Sequence, residues 1–296
     1  MDLPDVQSRA VEGRFMLTRV GVKGVKKPIQ VHRPERIVPL VLTIDAFVDL
    51  PSNLRGVHMS RNIESINEIL DEAVRTEIPS IEELASLMAK DLLGRHEYAT
   101  RAEVAFECDY FLERTSPSGA SSLENYRLLA RAFVDRDGSV SRMIGAEAVG
   151  MNACPCGMET ARKLTEERLG FTPPDLWLSH NQRNIARLYV EVPQGVEVEA
   201  NELIDILENA ESSPTHEILK RQDEAEIILK AHLNPKFVED IVRDILGAVI
   251  ERFSQLPDSA CIIAQSESHE SIHKHNAFAE RRTTMGELRA GRPVSG

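Results

Sequence analysis

Tyr126-Arg-Leu-Leu-Ala-Arg-Ala-Phe-Val-Asp135 and Val140-Ser-Arg-Met-Ile-Gly-Ala-Glu-Ala-Val149 are two apolar-rich segments joined through Asp135-Arg-Asp-Gly138. The segments read as strands, and the Asp-Gly turn between them is a hairpin signal. An antiparallel pair is therefore expected at the centre of the chain. Upstream, Ala102–Glu113 reads as a further strand with Val104, Phe106 and Cys108 on one face. Before it the period changes from two to 3.6. Ile63, Ile66, Ile69, Leu70 and Ala73 make one helical stripe, with Ser60 as a plausible N-cap. Ile81, Leu84, Leu87, Met88 and Leu92 make a second, opened by Ser80 and Glu83 in capping-box spacing after a break at Pro79. Ile37–Asp49 is the first strong strand. The first half thus reads strand, two helices, strands.

Downstream the outline recurs. Ile185–Val192 reads as a strand with Pro193-Gln-Gly195 as its turn, and Glu199–Glu211 as a helix. Asn234-Pro235 reads as an N-cap with Pro at the first helical position. The helix then runs to about Phe253, with Phe237, Ile241, Ile245 and Ala248 on one stripe. Ala260-Cys-Ile-Ile-Ala264 reads as a buried strand. The order of elements repeats; the sequence does not. The expected architecture is α+β with antiparallel sheets in two related halves. An N-terminal arm or edge segment (1–35) precedes a first module (36–156) and a second (157–296).

Composition narrows the function classes. The 296 residues carry a formal charge of −12, with 42% hydrophobic and 28% charged residues, as in ordinary soluble globular proteins. This balance speaks against a general nucleic-acid binder. No apolar run approaches the roughly 20 residues of a membrane helix, and Met1-Asp-Leu-Pro-Asp5 does not read as a secretory leader. Four cysteines in a chain of this size make no disulfide framework, which fits a reducing, cytoplasmic setting.

Three constellations carry chemistry. The first is Gln265-Ser-Glu-Ser-His-Glu-Ser-Ile-His-Lys-His-Asn-Ala-Phe-Ala-Glu-Arg-Arg282, with His269, His273 and His275, the carboxylates of Glu267, Glu270 and Glu280, and Lys274, Arg281 and Arg282. Imidazoles are acid–base groups near neutral pH and common metal ligands, and guanidinium groups match phosphate. The second is Cys154-Pro-Cys156 at a strand-to-helix turn, where a helix N-terminus favours the thiolate. Cys108 and Cys261 read as small hydrophobes in strands, so no second thiol pair completes a zinc knuckle. That leaves an open metal site completed by histidines. The third is Ser179-His-Asn-Gln-Arg183, whose His180 is a candidate partner.

Five motifs stand in one order: Arg55-Gly-Val-His-Met-Ser-Arg61, Cys154-Pro-Cys156, His180-Asn-Gln-Arg183, Asn234-Pro-Lys-Phe-Val-Glu-Asp240 and His273-Lys-His-Asn-Ala-Phe-Ala-Glu-Arg281. Over about residues 36–282 the chain resembles the prokaryotic type IB GTP cyclohydrolases. Ser212-Ser-Pro-Thr215 and Leu219-Lys-Arg-Gln-Asp-Glu224 point to the archaeal, methanopterin-pathway branch. The resemblance implies a tunnelling fold, two tandem antiparallel-sheet modules with paired helices packed on one face, assembled as a homotetramer with sites shared between subunits. It implies GTP as substrate, formate release and 7,8-dihydroneopterin 2′,3′-cyclic phosphate as product. The bacterial branch gives the triphosphate instead, and a non-enzymatic metal- or nucleotide-binding protein on the same scaffold is the remaining alternative. It implies one divalent metal per subunit, Fe(II) first, with Zn(II) and Mn(II) as alternatives. Cys154 and His180 resemble metal ligands. His273 and His275 resemble the remaining ligand and a proton shuttle, the metal set being Cys154, His180 and His273. Arg61, Arg183, Lys274, Arg281 and Arg282, with His58 nearby, are candidates for the phosphates. Bacterial glutamates fall at Pro214 and Leu229 in this chain. Glu217, Glu226, Glu267 and Glu270 are therefore the candidates for holding the guanine edge.

Overall fold

The computed structural model describes residues 5–13, 15–33, 36–75 and 80–291; the expected break at Pro79 lies outside them. Its strands are β1 (Leu17–Arg33), β2 (Arg36–Leu50), β3 (Arg101–Thr115), β4 (Ser121–Asp135), β5 (Val140–Ala153), β6 (Asn181–Glu191), β7 (Ser213–Pro214), β8 (Cys261–Ser268) and β9 (Ala277–Thr284). Its helices are α1 (Met59–Arg75), α2 (Ile81–Arg95), α3 (Pro155–Leu169), α4 (Ala200–Ala210), α5 (Arg221–Leu233), α6 (Val238–Arg252) and α7 (Met285–Arg289). Among the described residues there is one nine-stranded sheet, ordered β1-β2-β3-β4-β5-β6-β8-β9, with the short β7 on β5. This is the α+β, antiparallel architecture expected from the central hairpin. Gly138 closes that hairpin with φ +91°, its N–H bonded to the Asp135 carbonyl at 3.0 Å.

The chain forms two compact units. One comprises Met1–Asp109, Leu128–Ile144 and Glu191–Pro193; the other comprises Tyr110–Arg127, Gly145–Val190 and Gln194–Gly296. The division falls inside β3, β4 and β5, so each of these strands gives residues to both units.

In the first unit β1 is the edge strand and pairs antiparallel with β2, which pairs with β3. Its lysines and Pro28 suit an edge that does not invite further pairing. Leu42, Ile44, Ala46 and Val48 alternate inward from β2 and are fully or almost fully buried. They share the core with Ile66 of α1, with Leu84, Met88 and Leu92 of α2, and with Val104 and Phe106 of β3. Each such large aliphatic side chain contributes about 1.5–3 kcal/mol by leaving water. Ser80 caps α2 as expected, its hydroxyl accepting the Glu83 N–H at 3.3 Å. α1 begins at Met59, so Ser60 lies inside the helix rather than at its cap.

In the second unit β6, β8 and β9 pair antiparallel in sequence. α4 and α6 pack on each other and α6 packs on β8, burying Leu203, Ile204, Leu207, Ile241, Ile245 and Val249; Leu188 and Val190 of β6 and Ile262 and Ala264 of β8 are buried as well. Two sequence expectations are corrected here. Asn234 is the C-cap of α5 rather than an N-cap, and α6 starts at Val238. The cause is a capping bond further on: the Asp240 carboxylate takes the Phe237 N–H at 3.1 Å. Phe237 is accordingly exposed rather than part of the buried stripe.

Candidate functional site

The second unit gathers the chemistry. β5 ends at Ala153, and Cys154 is the N-cap of α3, with Pro155 in the first turn. Its Sγ accepts the Gly157 N–H at 3.3 Å. The sulfur thus stands at the N-terminal end of the helix, where it takes a backbone N–H that has no partner within the helix. Cys156 is exposed, with Sγ 4.0 Å from Thr160 Oγ1 on the helix flank. The two thiols therefore serve different surroundings.

The segment before β6 is laced to that helix start. The Cys154 N–H donates to the His180 carbonyl at 3.1 Å, and the Ser179 hydroxyl donates to the Cys154 carbonyl at 2.6 Å. Gly157 lies beside both: a Cβ there would meet Ser179 Oγ at 3.0 Å, His180 Cδ2 at 3.1 Å and Cys154 Cβ at 3.6 Å. The absent side chain keeps open the space that the thiol and the imidazole share.

His180 is mostly buried, and its Nδ1 donates to Gln182 Oε1 at 2.8 Å. Glu270 Oε2 lies 3.8 Å from the same nitrogen. The β8–β9 connection brings the remaining histidines. His273 meets His180 edge to face with ring centroids 6.2 Å apart, and His275 stacks on His273 at 5.1 Å. Both are exposed, as is Lys274. Ser271 on this loop donates to Gln182 Oε1 at 3.4 Å. The histidine-rich stretch is thus the tip of a hairpin, held down against the start of β6.

The structure brings together Cys154, His180, Glu270, His273 and His275 among the candidates. Glu267 is engaged elsewhere on the sheet, with Asn276 Nδ2 at 3.1 Å and Arg187 Nη1 at 3.8 Å. Arg183 is exposed, its carbonyl accepting the His269 N–H. Arg281 is half-buried, its Nε without a hydrogen-bond partner, while Arg282 is exposed. Of the four guanine-edge candidates, Glu217 donates its N–H to both oxygens of the buried Glu124 at 2.9 and 3.0 Å, and Gln222 Nε2 donates to Glu226 at 2.8 Å. His58 and Arg61 belong to the first unit. There His58 Nε2 donates to Asp5, a carboxyl held down at about 2 first by Ser8 and then by His58, and Arg61 donates to the Arg95 carbonyl.

The donor types fit a borderline or soft divalent ion, since one thiolate and one imidazole with a free Nε2 suit Fe, Zn or Mn better than Mg. Among the described residues no three His, Cys, Asp or Glu side chains are grouped closely enough to hold a metal. Cys154 and His180 are the two donors that the backbone itself positions.

Sequence reading passed over Gln182, Ser271 and Gly157. The signal for Gln182 was its spacing: residues i and i+2 at a strand start share a face, so it had to stand beside His180. A glycine in the first turn of α3, where none is needed for capping, was the signal for Gly157.

The fold has solved counterparts. The uricase of Arthrobacter globiformis superposes with a TM-score of 0.52, covering 98% of both chains at 12% identity. A hyper-thermostable mutant of an AgUricase gives 0.53 at 10% identity. At such identity the likeness defines the fold alone, a tunnelling fold. The particular family follows from sequence. The profile described as type I GTP cyclohydrolase FolE2 matches residues 3–279, and the chain belongs to that enzyme family. A protein called GTP cyclohydrolase MptA in Methanothermobacter thermautotrophicus is 42% identical, covering 97% of this chain and 95% of its own. Its namesake in Methanobrevibacter smithii is 41% identical, covering 97% of both.

Proposed function

We propose that this chain is a metal-dependent GTP cyclohydrolase of methanopterin-type pterin biosynthesis. It opens the imidazole ring of the guanine of GTP, releases C8 as formate and, as a hydroxyl closes on the α-phosphorus and diphosphate leaves, forms 7,8-dihydroneopterin 2′,3′-cyclic phosphate. The observation that carries the reading is the bracing of Cys154 against His180 in a chain about 41% identical, nearly end to end, to proteins named GTP cyclohydrolase MptA.

Cys154, His180 and His273 are the residues that would hold one divalent ion, Fe(II) first. When bound, such an ion lowers the pKa of water and supplies a nucleophile near neutral pH. The protein does the rest. His275, stacked on His273, delivers a proton to the guanine imidazole nitrogen as its bond to C8 breaks. Glu270, the carboxylate nearest His180, accepts from the guanine edge. His58, Arg61, Arg183, Lys274 and Arg281 are the cations and donors for the phosphates. The working form is a cytoplasmic homotetramer.

The test is anaerobic reconstitution of the full chain with Fe(II), followed by GTP, with formate assayed and the pterin product identified by mass. Formate with a cyclic monophosphate is the expected result. A triphosphate product moves the chain to the bacterial reaction, and no formate removes the reading altogether.

A further inference from the structure

We infer that Gln182 is a positioning residue for the candidate metal site, setting the tautomer of His180 and tying the histidine hairpin to it through one amide oxygen. The inference rests on the metal reading above and names a residue which that reading does not use.

Gln182 is almost fully buried at the start of β6. Its Oε1 receives two contacts: His180 Nδ1 at 2.8 Å and the Ser271 hydroxyl at 3.4 Å. An amide oxygen only accepts, so His180 must present Nδ1–H to it. The ring is neutral with Nδ1 protonated when Nε2 keeps its lone pair, and Nε2 is then the only ring nitrogen able to bind a cation. The Glu270 carboxylate, at 3.8 Å from the same nitrogen, is too far for a hydrogen bond, which leaves Gln182 as the partner of Nδ1. His180 Cδ2, the carbon next to Nε2, lies 3.1 Å from where a Cβ on Gly157 would stand, and Cys154 Cβ lies 3.6 Å from the same point.

The second contact has a separate consequence. Ser271 lies two residues before His273, whose ring meets His180 edge to face. One oxygen thus fixes the ring of a candidate ligand and anchors the loop that carries the other histidines. A partner of this kind on a ligating histidine typically changes metal affinity by about 10–100-fold.

The experiment uses the full chain, metal-free, titrated with Co(II) alone and followed by its thiolate-to-cobalt absorption band. Wild type should show the band, and Cys154→Ala should not. Gln182→Met keeps length and volume but removes the acceptor; its Co(II) affinity should fall about 10–100-fold at unchanged thermal stability. Gln182→Glu restores an acceptor oxygen in the same place and should recover most of that loss. If wild type shows no such band, the metal site itself is refuted and the inference with it. If wild type binds and Gln182→Met binds equally well, the metal site stands and the role given to Gln182 is overturned. That role is overturned equally if Gln182→Glu is as weak as Gln182→Met, since packing rather than acceptance would then be the cause.

Discussion

Cys154 and His180 are bonded through their main chains, 26 positions apart, the N–H of the first donating to the carbonyl of the second at 3.1 Å. With the Ser179 hydroxyl on the Cys154 carbonyl, the helix start and the strand start are held by two bonds. Neither bond involves the reactive atoms. The thiol and the ring are therefore positioned by backbone geometry that survives substitution of either side chain.

That separation makes the two cysteines testable. Cys154→Ala should fold, lose bound metal and lose formate production. Cys156→Ala, altering an exposed thiol on the helix flank, should keep its metal and most of its turnover. Metal content beside formate release on each purified variant decides it. Metal lost from Cys156→Ala and kept by Cys154→Ala would reverse the assignment.

Gly157→Ala puts a methyl group within 3.0–3.1 Å of Ser179 Oγ and His180 Cδ2. Those atoms must give by a few tenths of an ångström, which moves the imidazole from its place beside the helix start. Alanine is otherwise the better helix former by about 1 kcal/mol, so global stability should not suffer. The expected signature is kcat reduced at least tenfold with an unfolding midpoint equal to or above wild type. A fully active Gly157→Ala would show that the space beside His180 is not used.

How much of this was legible in the sequence depended on where the side chains point. The strands around Asp135–Gly138 show themselves by apolar runs, buried through consecutive residues at Leu128–Ala130 and Met143–Ala146, on either side of an Asp-Gly turn, and the two helices of the first unit by their apolar stripes. α5 escaped notice because Ile228, Leu229 and Leu233 are exposed while Ile227 and Ala231 are buried, so no apolar stripe marks it. β9 is an edge strand reading Ala-Phe-Ala-Glu-Arg-Arg-Thr-Thr, whose charges hide its pairing with β8. Cys154, His180, His273 and His275 stood out as residue types near helix and strand starts. Gln182 and Ser271 did not, because an amide and a hydroxyl gain meaning only from the partner they face.

Chelation should abolish turnover, and Fe(II) should restore it far better than Mg(II), because thiolate and imidazole are too soft for Mg. Formate release after dialysis against chelator, with each ion added back without air, is the measurement. Full activity in Mg(II) with chelator present would refute a site built on Cys154 and His180.

Glu211 gives a pH dependence of known sign. It is the C-cap of α4 and only 2% exposed, with Asn184 Nδ2 donating to Oε1 at 2.8 Å and Oε2 without a partner. Burial pushes its carboxyl up to about 8, against the weaker lowering effects of Asn184 and of the Lys236 charge. The unfolded chain releases this proton near the ordinary value of 4.5, while the folded chain keeps it until about 8. Between those values the folded state binds more protons, so this residue's contribution to stability falls as pH rises through the window. Gln has the shape of the neutral acid and cannot ionise. Glu211→Gln should therefore match wild type within about 1 kcal/mol at pH 5 and exceed it by roughly 2–4 kcal/mol at pH 8. Urea unfolding of both proteins at the two pH values reads this directly. An advantage of the same size at both would mean that Glu211 is ionised in the folded protein and that Lys236 and Asn184 outweigh its burial.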